Sequence, residues 1–174
     1  MKKFTKMCAV AACALFAGTA TVSAEDYVWK SVTAGDATTY GIRSDGSLWS
    51  WGWNEKGQSG NGVSERTATP TLADGNRVWK KLLAGKHTAS FWQKTALVAA
   101  GTATNGVQGT NDGVDHKVLT RIGTDNDWVD MACSRFGVNS AFAIKTNGTL
   151  WSWGENSAGQ LGIGNTQAQT CRYK

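Results

Sequence analysis

Hydrophobic and polar side chains alternate in short segments along this chain, and the segments return in the same order three times. The most distinctive segment is Leu-Trp-Ser-Trp-Gly at 48–52, which comes back at 150–154. Midway between them, Leu-Val-Ala-Ala-Gly at 97–101 keeps the register but replaces both tryptophans. Because successive side chains of a strand point to opposite faces, each copy predicts a strand with its bulky residues on one face. The chain therefore contains a threefold repeat of about fifty residues.

Each copy predicts three further strands around this segment. A tryptophan opens the first strand of every copy, and a second alternating segment follows it. A short extended segment closes copies one and two, but 166–174 carries no comparable segment, so copy three is predicted to stop early. The opening tryptophans are Trp29, Trp79 and Trp128, and the closing segments are Thr69–Leu72 and Leu119–Ile122.

Turn residues separate the predicted strands. Asp45-Gly46 and Asn147-Gly148 predict tight type I′ hairpins, because that turn needs positive φ at both central positions. Copy two has Lys94-Thr95 instead and is expected to turn differently. Glycines after the third strand recur at fixed offsets, which indicates positive φ or no room for a Cβ atom. They are Gly52, Gly57, Gly60 and Gly62, then Gly101, Gly106 and Gly109 with Asn111 in the last place, then Gly154, Gly159, Gly162 and Gly164.

Four short strands in a unit of this length are typical of a β-propeller blade. The repeats are predicted at about 27–78, 79–127 and 128–174. In their sequence these units resemble the RCC1 (regulator of chromosome condensation) repeat over about residues 27–165. The matching residues in copy one are Ala34-Gly35, Asp45-Gly46, Leu48–Gly52, Asn54 and Gly57-Gln58. Those in copy three are Asn147-Gly148, Leu150–Gly154, Asn156 and Gly159–Gly162.

The resemblance implies an all-β propeller of four-stranded RCC1-like blades. Proteins of that family form seven-bladed rings, so three blades make an incomplete propeller with two exposed edges. The chain is therefore interpreted as a fragment of a longer array, with self-association that completes a ring as the alternative. Two other readings stay open, namely the repeat portion of a larger secreted enzyme or adhesin whose functional domain is missing, and a non-functional gene remnant.

The N-terminus predicts a targeting segment. Lys2, Lys3 and Lys6 precede a short apolar stretch, and Val22-Ser23-Ala24 fits a signal-peptidase site, so cleavage is expected after Ala24. The apolar stretch is too short to span a membrane. A lipoprotein site ending at Cys13 is the competing interpretation. The domain at 25–174 is thus predicted to be secreted or periplasmic, in a bacterium.

Removal of that segment changes the charge and the cysteine content. The full chain has 18 basic and 13 acidic side chains, and loss of the three lysines lowers the net charge from +5 to +2. This balance, without a dense basic run, favours no nucleic-acid partner. Two cysteines, Cys133 and Cys171, remain, and they could form a disulfide or stay as thiols.

The sequence gives only weak evidence for catalytic groups. Gly52–Ser59 lacks the lysine of a phosphate loop, and neither a nucleophile motif nor a carboxylate pair is evident. His87 is expected to have a structural role, and His116 with Asp112 and Asp115 resembles a metal cluster only in composition. We therefore predict no catalytic residue, cofactor or metal.

Recognition is expected to lie in loops. The recurring tryptophans are interpreted as core residues, whereas Trp53 and Trp92 do not recur and are the candidates for exposed binding aromatics. The resemblance implies that the loops between strands carry the partner contacts, so no site residue is transferred from the motif. The predicted function is a secreted, non-catalytic module that binds an unidentified protein; inhibition of an enzyme such as a β-lactamase is one specific version.

Overall fold

The strands form three separate antiparallel sheets, each with four strands that are neighbours in sequence order. The computed structural model describes residues 28–85, 88–93, 96–134 and 139–173. The predicted signal peptide at 1–24, His87 and the Lys94-Thr95 turn lie outside the described residues. The prediction of an all-β fold made of four-stranded blades is confirmed.

We number the sheets as blades 1 to 3. Blade 1 contains β1 (Trp29–Ala34), β2 (Thr38–Arg43), β3 (Leu48–Gly52) and β4 (Thr67–Asp74). Blade 2 contains β5 (Trp79–Ala84), β6 (Thr88–Gln93), β7 (Ala96–Gly101) and β8 (His116–Arg121), with a short 3-10 turn at Thr104–Gly106. Blade 3 contains β9 (Trp128–Cys133), β10 (Ser140–Lys145), β11 (Leu150–Gly154) and β12 (Gln169–Tyr173).

The strand β12 corrects one sequence-based expectation. Residues 166–174 were expected to carry no fourth strand, yet Gln169 pairs with Gly154 and Tyr173 with Ser152. The expectation is wrong because an edge strand is held by backbone hydrogen bonds to its neighbour, which do not require the Pro-Thr-Leu pattern of copy one. Blade 3 is therefore a four-stranded sheet like the other two.

The two predicted hairpins form, but their turn type differs from the prediction. Gly46 has φ of +85° and Gly148 has φ of +78°, whereas Asp45 and Asn147 do not have positive φ. The Asp45 carboxylate accepts the Ser47 N–H at 2.9 Å. This side-chain bond stabilises a turn in which only the glycine needs positive φ, so the assignment to type I′ is wrong.

Blades 1 and 2 pack face to face through a hydrophobic core. Leu48 and Tyr40 of blade 1 are buried against Trp79 and Phe91 of blade 2. The rings of Tyr40 and Phe91 meet edge to face with centroids 5.4 Å apart. Such aromatic contacts add to the stabilisation from buried area. The side chains of β3 thus alternate as predicted, with Leu48 facing the next blade.

The junction between blades 2 and 3 is filled by a tryptophan of blade 3. Trp153 of blade 3 is fully buried against blade 2, and its indole N–H donates to the Val107 carbonyl at 2.9 Å. The ring lies directly over Gly109, where a Cβ atom would be 2.8 Å from the indole nitrogen. The glycine is therefore required by both its positive φ of +70° and the close approach of Trp153.

In blades 1 and 2, the glycine loop after the third strand crosses to the outer strand of the next blade. A Cβ atom on Gly57 would be 2.6 Å from the Lys117 Cα atom, and one on Gly106 would be 2.3 Å from the Thr170 Cα atom. Asn61 of the first loop also forms a bridge with Val118 in β8. The recurring glycines thus let one blade's loop touch the backbone of its neighbour.

Buried amides hold these loops in shape. The Asn54 side chain donates to the carbonyls of Val63 and Glu65 and accepts the Ser59 N–H at 2.8 Å. Asn156 makes the equivalent bonds in blade 3. Blade 2 has Ala103 at this position, and its N–H is instead bound by the Asp115 carboxylate at 2.8 Å. The asparagine of the motif is thus a loop-forming residue.

The two cysteines of the predicted mature domain lie on opposite edges of blade 3. Cys133 ends β9 and Cys171 belongs to β12, with β10 and β11 between them. Neighbouring strands are about 4.8 Å apart, so the two edges are separated by roughly 14 Å. A disulfide needs Cα atoms within about 7 Å. The Cys133–Cys171 bridge left open by the sequence does not fit this sheet.

The Trp153 contact predicts unequal effects at two glycines with the same backbone conformation. Gly109→Ala should lower the free energy of unfolding by about 2–4 kcal/mol, since the methyl group must displace a buried ring as well as strain the backbone. Gly113→Ala is the matched control, because φ is +68° and nothing lies within 4 Å of the added atom; it should cost only about 1 kcal/mol. Chemical denaturation of both variants measures the difference, and equal losses would contradict the contact.

Candidate functional site on the turn rim

One side of the blades gathers the β2–β3 and β10–β11 hairpins and the starts of the first strands. The Ser44 N–H donates to the Val28 carbonyl at 2.8 Å, and the Thr146 N–H donates to the Asp127 carbonyl at the same distance. We name this side the turn rim; it comprises residues 28–29, 43–49, 74–79, 121–129 and 145–151. The opposite side, the glycine-loop rim, comprises residues 52–66, 101–115 and 154–168.

A cation lies between two tryptophans on the turn rim of blade 1 and again on that of blade 3. The Arg43 guanidinium is 3.6 Å from the Trp49 ring centroid and 5.0 Å from that of Trp29. In blade 3 the Lys145 ammonium is 5.0 Å from the Trp151 ring and 4.9 Å from the Trp128 ring. Attraction between a cation and an aromatic face holds the side chains of each group together.

Hydrogen bonds from the hairpin fix the orientation of the third-strand tryptophan. The Trp49 indole N–H donates to the Ser47 hydroxyl at 2.8 Å, and that hydroxyl donates to the Asp45 carboxylate at 2.6 Å. These bonds from the Ser47 side chain and backbone hold the pKa of Asp45 below its ordinary value, with a further contribution from the charge of Arg43. Blade 3 repeats the chain of bonds through Asn147, Thr149 and Trp151.

Ion pairs place Lys145 of blade 3. Its ammonium is 3.0 Å from the Asp125 carboxylate and 3.2 Å from that of Asp127. Partial burial acts to lower the pKa of Lys145, but the bonds to Asp125 and Asp127 outweigh it and raise the pKa above the ordinary value. Lys145 is therefore a permanent cation against the two tryptophan rings.

Two hollows open on the turn rim. The larger, of about 370 Å³, is lined in blade 1 by Arg43, Asp45, Ser47, Trp49, Leu72 and Gly75. The smaller, of about 230 Å³, is lined in blade 2 by Arg77, Gln93, Ala96, Val98 and Arg121. Each combines apolar surface with at least one arginine side chain.

The aromatic residues selected from the sequence lie elsewhere. Trp53 begins the glycine loop of blade 1, where it is half-buried and hydrogen-bonds to the Glu55 side chain. Trp92 belongs to β6, opposite Lys81 and Leu97, and its side chain is outside the described residues. The structure does not bring these two residues into one site, and their roles in binding stay predictions.

The composition of the His116 segment does not build a metal site. The His116 ring is 2.9 Å from the Asp112 carboxylate, but the Asp115 carboxylate faces away to the Ala103 N–H. Within the described ranges, no group of three or more His, Cys, Asp or Glu side chains could hold a metal ion. No helix in that same part of the chain is long and apolar enough to cross a membrane.

The cation between tryptophans is the feature that the sequence reasoning missed. Its signal was present, since Arg43 and Lys145 occupy the same place, three residues before the turn glycines Gly46 and Gly148. From the sequence alone, a basic residue at a fixed distance from a turn is interpreted as a solvated charge. Only the fold shows that two tryptophans flank it.

Three four-stranded antiparallel meanders that pack face to face through matching positions define part of a β-propeller. Two family models, both described as the regulator of chromosome condensation (RCC1) repeat, match the chain. One matches residues 29–58, and the other matches 45–89 and 147–172. The chain belongs to the RCC1 repeat family.

Known relatives agree with this assignment. The chain is 29% identical over 144 residues to the ultraviolet-B receptor UVR8 of Arabidopsis thaliana, covering 80% of this chain and 32% of the receptor. Its structure is similar to human WBSCR16 with a TM-score of 0.72 at 17% identity, over 85% of this chain and 38% of that one. It is also similar to Prp20p of Saccharomyces cerevisiae with a TM-score of 0.71 at 20% identity, over 83% of this chain and 37% of that one. The chain thus spans about a third of the length of these proteins.

The hydrogen bonds of Asp45 predict a specific pattern for two substitutions. Asp45→Ala removes the acceptor for the Ser47 N–H and hydroxyl and should destabilise blade 1 by on the order of 1 kcal/mol. Asp45→Asn keeps an acceptor, as Asn147 does in blade 3, and should be nearly neutral at pH 7. Because the folded-state pKa of Asp45 is lowered, its stabilising contribution is present above the unfolded pKa and is lost as the pH falls through the folded pKa.

Thermal melts of the parent chain, Asp45→Ala and Asp45→Asn from pH 7 to acidic pH measure this pH dependence of stability. The difference in stability between the parent chain and Asp45→Ala should narrow in acid, whereas the difference between Asp45→Asn and Asp45→Ala should not depend on pH. A difference between the parent chain and Asp45→Ala that does not depend on pH would show that the carboxylate bonds are not those of the structure.

Proposed function

We propose that this chain is a secreted, non-catalytic RCC1-repeat module that binds another protein through its turn rim. The observation that supports it most is the larger hollow, which is lined by the arginine and the third-strand tryptophan of the cation–tryptophan group of blade 1. Tryptophan, tyrosine and arginine are the residues that most often dominate the energy of protein interfaces. Here tryptophan and arginine are held in place by neighbours, so little conformational entropy is lost when a partner binds.

The surroundings of the hollows suit a protein partner. Val28 and Val78 are exposed apolar side chains on the same rim, and the exposed Leu72 lines its larger hollow. Acidic residues lie among the basic ones, as in the ion pair between Arg77 and Asp74. Apolar contacts mixed with charges of both signs favour a protein surface over a polyanion such as nucleic acid.

The family supports binding to proteins. The solved structure of Prp20p is described together with its binding to Gsp1p and histones, which are proteins. No such partner is transferred to this chain, because partner contacts in propellers depend on loops that differ between family members. The chemistry of the rim selects a partner that presents an apolar or acidic side chain to Arg43 and Trp49.

Substitutions at two exposed valines test which rim binds the partner protein. Val78 on the turn rim is 67% exposed and Val114 on the glycine-loop rim is 56% exposed, and each lies just before a strand or in the loop that leads to one. Val78→Asp places a charge beside Gly46, in the hairpin that lines the larger hollow. It should lower capture of the partner about tenfold or more, whereas Val114→Asp should leave capture unchanged. The measurement is crosslinked affinity capture from the culture fluid of the producing cells, quantified by mass spectrometry.

Both variants should melt at the temperature of the parent chain, which excludes unfolding as the cause. Loss of capture with Val114→Asp alone would place binding on the glycine-loop rim, near Trp53. Absence of any protein captured by the parent chain, at a concentration at which it is folded, would contradict the proposed function.

Secretion has its own test. The full chain expressed in a bacterial host should yield a protein outside the cytoplasm whose first residue is Glu25, because the signal sequence predicts cleavage after Ala24. N-terminal sequencing and intact mass measure this. An acylated N-terminus at Cys13 would establish the lipoprotein alternative, and an uncleaved cytoplasmic product would contradict secretion.

A further inference from the structure

The smaller hollow of the turn rim lies in blade 2 and has the same place in its repeat as the larger hollow in blade 1. In the register of the strands, four of its lining residues stand at positions that also line the larger hollow. Gln93, Ala96, Val98 and Arg121 stand at the places of Arg43, Ser47, Trp49 and Leu72. Blade 2 packs against a neighbour on each side, so this hollow does not result from an open end of the array.

The cation–tryptophan group of blades 1 and 3 has no counterpart in blade 2. Val98 stands where the other two blades have the third-strand tryptophan. Gln93 pairs with Trp79, at the place where Arg43 and Lys145 pair with the opening tryptophans of their blades. Both replacements are smaller side chains, and Gln93 carries no charge. The space beside Val98 therefore stays open instead of being filled by an indole ring and a cation.

Two arginines give the smaller hollow a positive charge. Arg121 ends the last strand of blade 2, and Arg77 belongs to the segment that leads into β5. No acidic residue is among the described residues that line this hollow. The larger hollow, by contrast, contains Asp45 as well as Arg43. The two equivalent hollows are therefore suited to different chemical groups.

Arg121 is held in position by oxygen atoms of the turn that follows it. Its Nη2 nitrogen donates to the carbonyls of Thr124 at 2.9 Å and Asp125 at 3.2 Å, and to the Asn126 side-chain oxygen. These acceptors are uncharged, and the Asp125 carboxylate is bound to Lys145 at 3.0 Å. Within the described ranges the Nε and Nη1 nitrogens of Arg121 make no hydrogen bond. The guanidinium is thus ordered and still has donors for a ligand.

Arg77 also keeps its donors. Its guanidinium is 5.9 Å from the Trp79 ring centroid, and its Nε nitrogen is 3.8 Å from the Asp74 carboxylate. The second distance is too long for a hydrogen bond, so Asp74 offsets part of the charge and occupies no donor. The Arg77 side chain is 39% exposed, which leaves it accessible from the solvent side of the hollow.

We propose that this hollow binds a carboxylate group that the partner protein presents to the turn rim; the assignment therefore rests on the proposed function and names the chemistry of one partner group. A guanidinium has parallel N–H donors that match the two oxygens of a carboxylate, and such charge-assisted bonds are stronger than neutral ones. Gln93 supplies a further, uncharged amide donor, and Ala96 and Val98 supply apolar surface for the carbon atoms next to the carboxylate. The group can belong to an acidic side chain or to a chain terminus.

The setting of the two arginines makes this more than a surface ion pair. Pairs of exposed, flexible side chains contribute little, because solvent screens them and ordering them costs entropy. Here Arg121 is already ordered by three oxygen atoms, and the buried Val98 gives the hollow an apolar wall. Less entropy is lost on binding when the binding groups are held in place beforehand.

A titration with short peptides tests the site without the natural partner. The first probe is acetyl-Leu-Glu-Leu-amide, and its matched control has glutamine in place of glutamate. A third peptide has the glutamine sequence and a free C-terminal carboxylate. Binding is followed by NMR through the Nε–H signals of Arg77 and Arg121 in the full chain, at constant ionic strength.

A peptide with a carboxylate should shift both arginine signals to saturation, and the uncharged peptide should shift neither. Shifts with the glutamate peptide alone would assign the group to an acidic side chain, and shifts with the free terminus alone would assign it to a chain end. Either result supports the carboxylate site and identifies its source.

Substitutions locate the binding in the hollow. Arg121→Gln should raise the dissociation constant of the bound peptide about tenfold or more, because it removes charge-assisted bonds. Lys117→Gln is the matched control, since Lys117 is an exposed cation on the same strand, β8, at the end near the glycine loop of blade 1. Val98→Trp restores the residue of the other blades and should block binding while both arginines remain.

A second arginine variant keeps the test valid if Arg121→Gln lowers the melting temperature. Arg77→Gln breaks no hydrogen bond within the described part of the chain and should also weaken binding about tenfold. Equal shifts with the uncharged peptide, or unchanged affinity in both arginine variants, would overturn the proposal. Tighter binding of a peptide with tryptophan in place of glutamate would overturn it as well, because the hollow would then belong to an aromatic side chain.

Failure here is distinguishable from failure of the proposed function. If the chain captures a partner that Val78→Asp loses, yet binds no carboxylate peptide, only the carboxylate site is wrong. If the chain binds the carboxylate peptide through Arg77 and Arg121 but captures no protein, the site stands and the proposed function is wrong.

Discussion

The structure depends on how each blade covers the glycine loop of the blade before it. The loop presents a carbonyl at the edge of a hydrophobic core, and leaving such a group buried without a donor costs free energy. Between blades 2 and 3 the Trp153 indole N–H donates to the Val107 carbonyl, and its ring fills the space above Gly109. In blade 1 the hydroxyl of Tyr40, from the same blade, donates to the Gln58 carbonyl. Blades 2 and 3 are therefore joined by a hydrogen bond as well as by buried apolar area.

This requirement explains why the second repeat departs from the motif without disrupting the fold. Ala100 replaces the tryptophan, and the Leu119 side chain lies over Gly60 in the way that Trp153 lies over Gly109. The rings of Tyr40 and Phe91 meet edge to face in the same core. Residues on neighbouring blades thus compensate for one another, and a repeat that looks degraded on its own is complete within its junction. Repeat arrays are stabilised mainly by such nearest-neighbour interfaces, so the junction rather than the single repeat is the unit to examine.

The alternation of the strands also separates stability from recognition. Side chains in the middle of each strand point toward a neighbouring blade, while the ends of the same strands and their hairpins carry the cation–tryptophan groups. Arg43 and Lys145 each lie against rings of the first and third strands of their blade. The rim can therefore vary in its loops without disturbing the core.

Repetition made some local features predictable, whereas others depended on interactions that a repeat comparison does not show. The strands of copies one and two and the positive φ of Asn111 followed from register alone, since equivalent positions need equivalent backbone geometry. The turn type at Asp45 was wrong because a side-chain hydrogen bond changed the backbone requirement. The strand β12 was missed because its pairing comes from the neighbouring backbone. The bridge between Cys133 and Cys171 could be rejected only once their strands were ordered in the sheet.

The sequence by itself determined the repeat, the blade type and the family, because periodic glycines and alternating aromatics impose backbone geometry that every copy must share. Only the tertiary structure decided which tryptophans are buried, since Trp51 and Trp153 stand at the same place in their repeats, yet Trp153 packs on blade 2 and Trp51 is half-buried. It also decided that Arg43 lies between two rings. These are properties of neighbours in space, and residues far apart in the sequence become neighbours only when the blades pack.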